Sequence, residues 1–118
     1  MTSRTPAQIG KANRRAGIEL EQAARKVLEA AGWFVMTTKH GGANKEPVDL
    51  MAAKVNYFGR VVLLAVQCKT NGYVAPAERA SLDALPSFLD PVVAYWHKDG
   101  RSARVVRFRD LEGNEVKP

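Results

Sequence analysis

The segment Val61-Val62-Leu63-Leu64-Ala65-Val66-Gln67-Cys68-Lys69 decides how the chain folds. Its first six residues are apolar without a break, rich in β-branched types and too short for an ordinary helix. They read as a strand covered on both faces, which belongs in the middle of a sheet. Polar residues then arrive together. Gln67, closing a buried strand, needs a hydrogen-bonding partner or a ligand for its amide.

Working outward, Asn56, Tyr57, Phe58 and Gly59 form a turn, and residues 48–53 (VDLMAA) before it form a second strand, so the two are expected to pair as a hairpin. Residues 33–38 (WFVMTT) are aromatic and β-branched and form a first strand, followed by a polar loop over 39–47. Upstream, Leu20, Ala24, Val27, Leu28 and Ala31 recur at helical spacing from about Ala16, and Gly32 stands where a helix C-cap belongs. Downstream, Pro76 opens a second helix that Pro86 interrupts. Residues 92–96 and 103–108 are two further strands about a turn at Asp99-Gly100. The order αβββαββ predicts an α/β fold, a mixed five-stranded sheet flanked by helices. Residues 1–13, polar and carrying Pro6 and Gly10, are expected to be a flexible basic arm, with one domain over 14–112 and a tail over 113–118.

Composition narrows the class. A chain of 118 residues, 46% hydrophobic and 25% charged, suffices for one core and is not disordered by composition. The net charge of +6 favours polyanionic partners. The charge is also unevenly spread: Arg4, Lys11, Arg14 and Arg15 occur before any acid, and Arg101, Arg104, Arg107 and Arg109 crowd a later segment. The lone Cys68 excludes an internal disulfide and a cysteine-based zinc cluster, and suits a reducing compartment. No apolar signal core and no run of about 18 apolar residues occurs, so a cytoplasmic protein without a membrane span is expected.

The chemistry-bearing residues lie where the hairpin brings its open ends together. Asp49 begins one strand and Gln67 ends the other, and two-residue alternation puts Gln67 and Lys69 on one face with Cys68 on the opposite one. A carboxylate, an amide oxygen and an ammonium then converge. Phosphodiester cleavage uses such groups: oxygens to hold Mg²⁺ and a cation to offset phosphate charge. Glu21 borders the apolar stripe of the first helix, three residues before Ala24 and seven before Leu28. Plainer roles are open to each: Asp49 as a turn residue, Lys69 reaching for solvent, Glu21 as a surface acid paired with Arg25. With only His40 and His97, a histidine-based metal site is not expected. Trp33, Trp96 and Cys68 are expected to serve packing.

The ordered series Gly17 to Glu21, Leu28, Gly32-Trp33, Val48-Asp49-Leu50 and Ala65-Val66-Gln67-Cys68-Lys69-Thr70 resembles the archaeal-type Holliday junction resolvases of the PD-(D/E)xK nuclease superfamily, over about residues 13–111. The resemblance implies a restriction-endonuclease-like fold and a Mg²⁺-dependent endonuclease, with Mn²⁺ able to substitute, that cuts branched DNA as a homodimer. It implies that Glu21, Asp49 and Gln67 hold the metal and that Lys69 completes the catalytic set. Arg4, Lys11, Arg14, Arg15, Lys39, His40, Lys45 and Thr70 are the expected DNA contacts. Two departures stand out: Gln67 occupies a position where an acid is usual, and Val48 replaces the motif proline. Another structure-specific or nicking nuclease, or a catalytically silent DNA-binding module, fits the same residues.

Overall fold

The computed structural model describes residues 5–38, 48–99 and 103–118, with backbone alone over 6–14, 99 and 103. Helix α1 (Pro6–Ala30) is followed by β1 (Phe34–Thr37), β2 (Leu50–Val55), β3 (Val61–Cys68), α2 (Pro76–Asp83), β4 (Leu89–Asp99), β5 (Ala103–Arg109) and β6 (Glu115–Val116). The strands form one sheet in chain order, β1-β2-β3-β4-β5-β6. All neighbours are antiparallel except β3 and β4, whose parallel pairing requires the crossover through α2. The sheet is mixed and flanked by helices, as expected.

Its register explains the apolar run of β3. Leu64 and Val66 face α1, in a core with Ala24, Leu28, Val35, Leu50, Ala52, Val92, Ala94 and Phe108. Ala65 faces α2, in a second core with Val48, Leu82, Val93 and Leu111. Both faces of β3 are therefore buried over residues 64–67, where the strand has no use for alternation, while Val61 at its start is exposed.

Three expectations of where elements begin, and of how many there are, are corrected. Helix α1 begins at Pro6, so the helix runs through most of the stretch expected to be a flexible arm. Pro6 suits the first helical turn, and Ala7, Gln8, Lys11, Ala12, Arg14 and Arg15 are good helix formers, but with four of them polar no apolar period marks the stretch. The sheet has six strands, because residues 115–116 of the expected tail pair with β5. A two-residue strand carries no periodic signal. What forms it is Asp110, whose carboxylate accepts from the Glu112 and Asn114 N–H groups at 3.0 and 2.8 Å and closes the turn. Those hydrogen bonds, the Asn114 backbone first, hold the Asp110 carboxyl below its usual range. Finally, β4 starts at Leu89, before the expected Val92, and admits Pro91. The expected turn at Asp99-Gly100 falls partly outside the described residues.

The first helix ends as expected at Gly32, with φ of 92°, where the Trp33 N–H reaches the Leu28 carbonyl at 3.0 Å. Trp33 lies just before β1 and packs against the core. The Lys54 ammonium stands 5.6 Å from its ring centroid. Among the described residues, no helix is long and apolar enough to cross a membrane.

Candidate active site

The site is built at the end of the sheet where β2 begins and β3 ends. Leu50 is the register partner of Val66, yet the Asp49 N–H also donates to the Val66 carbonyl at 2.9 Å. Asp49 and Leu50 thus oppose one residue, which makes a bulge at the mouth of β2. The bulge breaks the alternation: Val48 packs in the α2 core and Leu50 in the α1 core. Asp49 is only 6% exposed, and its Oδ2 accepts from the Cys68 N–H at 2.8 Å, just beyond the last residue of β3 that β2 pairs. The carboxylate takes the place of a strand neighbour for that donor.

Gln67, 8% exposed, follows Ala65 on the α2 face. Its Nε2 donates to Glu78 Oε2 at 3.4 Å, while its Oε1 is buried without a hydrogen-bond partner. A buried carbonyl left in that state costs about 1–3 kcal/mol. The oxygen is therefore available to accept from, or to coordinate, a group brought to this end of the sheet.

Lys69 leaves the strand with its N–H on the Ala94 carbonyl at 2.9 Å, and its ammonium pairs with Glu78 Oε2. The turn that follows is constrained. Gly72 has φ of 75°, and a Cβ there would stand 3.4 Å from Tyr95 Cγ. Its N–H returns to the Lys69 carbonyl at 2.9 Å, and Arg109 Nη2 donates to its carbonyl. The chain is thereby delivered to α2 with Glu78 at the third helical position, where Glu78 Oε1 accepts from the Ala75 N–H at 3.4 Å.

The structure thus gathers Asp49, Gln67 and Lys69 at one end of the sheet and adds Glu78, which the strand pattern does not announce. Its sequence signal is that of an ordinary first-turn acid. Glu21 is half-buried on α1, which packs on the face opposite Gln67 and Glu78, while Arg25 pairs with Glu29 at 2.9 Å. Cys68 packs on the α1 side, away from Gln67. Of the expected DNA contacts, Arg15 and Thr70 are exposed. Lys11 and Arg14 lie on the backbone of α1, and Arg4, Lys39, His40 and Lys45 fall outside the described residues.

Among the described residues, no three of His, Cys, Asp and Glu gather about one point. The donors at this site are hard oxygens instead, the Asp49 carboxylate and the unpartnered Gln67 Oε1, a set that suits Mg²⁺ and not a soft metal.

No family model matches the sequence, and no curated protein does. Among solved structures, the chain is similar to the Holliday junction resolvase Hjc of the archaeal hyperthermophile Archaeoglobus fulgidus, with a TM-score of 0.58 and 23% identity over 81% of this chain and 78% of that one. The two share a fold.

Proposed function

We propose, from that shared fold, that the chain is a Mg²⁺-dependent endonuclease that cuts branched DNA, with the four-way junction as its principal substrate, and that it acts as a homodimer. The observation that carries the reading is the convergence of Asp49, Gln67 and Lys69 at one end of the sheet, with Gln67 Oε1 buried and unpartnered. Asp49 and Gln67 would hold the metal, with Mn²⁺ able to substitute and Glu21 in support from α1. When bound, such an ion lowers the pKa of a coordinated water and offsets charge on the scissile phosphate. Asp49 is held for that role by its bond to the Cys68 N–H, and Gln67 by the strand it closes. The Lys69 ammonium supplies the cation beside the phosphate. The net charge of +6, with Arg15 exposed on α1 and Arg14 beside it, draws the DNA backbone. The dimer follows from the substrate, since a four-way junction requires two paired cuts.

The test is cleavage of an end-labelled four-way junction and a matched linear duplex, with Mg²⁺ or EDTA, by the intact protein and by Asp49→Asn. Symmetric cuts in the junction alone, abolished by EDTA and by the substitution, are the expected result. Cutting of flaps or linear duplex in preference to the junction would assign another nuclease specificity to the same site.

One observation favours a second reading. Position 67 holds an amide and Lys69 is already paired with Glu78, features that suit a catalytically silent DNA-binding module. Tight junction binding without cleavage in either Mg²⁺ or Mn²⁺ would decide for it.

A further inference from the structure

The carboxylate that position 67 lacks stands next to it, on another element. Glu78 Oε2 lies 3.4 Å from Gln67 Nε2 and also pairs with the Lys69 ammonium. Side-chain exposures of 28% for Lys69 and 33% for Glu78 leave the pair partly open to solvent. The charge balance of the end of the sheet depends on this residue. Without Glu78, Asp49 and Lys69 sum to zero, and any further carboxylate would have to come from Glu21 on α1, across the sheet from Gln67. With Glu78 the same group carries one net negative charge, and an anionic oxygen set is what a hard divalent cation needs.

The helix cap engages one oxygen of Glu78, Oε1, and leaves Oε2 to the groups at the end of the sheet. The second oxygen is spent beside Gln67, whose Oε1 is more than nine-tenths buried and unpartnered.

We infer that Glu78, on α2, is the second acidic ligand of the divalent-cation site, acting with Asp49 and Gln67 Oε1 in place of a carboxylate at position 67. The inference rests on the metal-dependent reading of the site. Glu78 exchanges its Lys69 partner for the cation, and Lys69 is thereby released toward the phosphate. No covalent step is involved.

The experiment is calorimetric titration of the full chain with Mn²⁺, without DNA, for the natural sequence, Asp49→Asn, Glu78→Gln, Gln67→Glu, and Gln67→Glu combined with Glu78→Gln, each checked for folding by circular dichroism. Glu78→Gln should weaken Mn²⁺ binding by roughly tenfold or more, on the scale of loss that even outer partners of a ligand produce. Gln67→Glu should restore affinity in the Glu78→Gln background, because it returns the carboxylate to the same place. Gln67→Glu alone leaves α2 intact, and should tighten binding even if Glu78→Gln does not fold. Unchanged affinity in Glu78→Gln, with binding lost in Asp49→Asn, would overturn the role of Glu78 and leave the metal site standing. Loss in Glu78→Gln without rescue would equally overturn the substitution of one carboxylate for the other. Absence of Mn²⁺ binding by the natural sequence would overturn this inference together with the metal-dependent reading.

Discussion

On the proposed reading, Gln67 is a side chain that sets stability against use. Its Nε2 contact with Glu78 is long at 3.4 Å, and Glu78 keeps Lys69 if that contact is lost. Its Oε1, by contrast, is buried without a partner. The desolvation penalty therefore outweighs the hydrogen bond. Gln67→Met, close in volume, is expected to stabilise the fold by about 0.5–1 kcal/mol, read as a higher urea midpoint, while Mn²⁺ binding falls. A lowered midpoint would show that the amide is held for structure. Asp49 makes the complementary case. The residue is 6% exposed, its carboxylate is bonded to a backbone N–H, and it occupies a bulge that puts an acid at the end of β3.

At the scale of elements, α2 does the positioning. It has eight residues and buries one of them, Leu82, at 1% exposure between Ala65, Val93 and Leu111. A helix this short is held by tertiary packing and not by propensity. Arg79 adds a tie, donating to the Leu111 carbonyl at 2.6 Å. Leu82→Ala is expected to cost about 2–4 kcal/mol of stability. Because α2 carries Glu78, the same change should weaken Mn²⁺ binding even where the protein remains folded. Normal metal affinity in a folded but destabilised Leu82→Ala would mean that α2 does not contribute to the site. Helix α1 plays a broader part, covering the other face through Ala24 and Leu28, with Lys11, Arg14 and Arg15 in its first half.

For the whole molecule, charge is the property that acts at a distance. On the proposed reading, a net charge of +6 on a chain of this size makes DNA affinity fall steeply with salt. Replacing Arg14 and Arg15 together with Ala removes two cations from α1, and should lower the slope of log K against log salt by roughly 1.8 on duplex DNA, about 0.9 for each phosphate contact. The loss should be uniform across DNA sequences, since phosphate contacts position without reading bases. An unchanged slope would remove α1 from the DNA-binding surface.

Much of this architecture was legible in the residues alone. The apolar run 61–66 placed β3 in the centre, the helical spacing of Leu20, Ala24 and Leu28 marked the inner face of α1, and Gly32 marked its end. These signals are local, because burial on one face or two writes itself into the period of apolar residues. Asp49, Gln67 and Lys69 could be brought to one end of the sheet for the same reason, since a hairpin with a short turn has a nearly determined register. The first half of α1 was obscured by polar helix formers, and β6 by its length. Glu78 is different in kind. Its place beside Gln67 and Lys69 depends on the parallel pairing of β3 with β4, on the turn through Gly72, and on Leu82 docking α2 against the sheet. No local pattern encodes a meeting between a helix cap and a strand end, so only the tertiary structure could decide it.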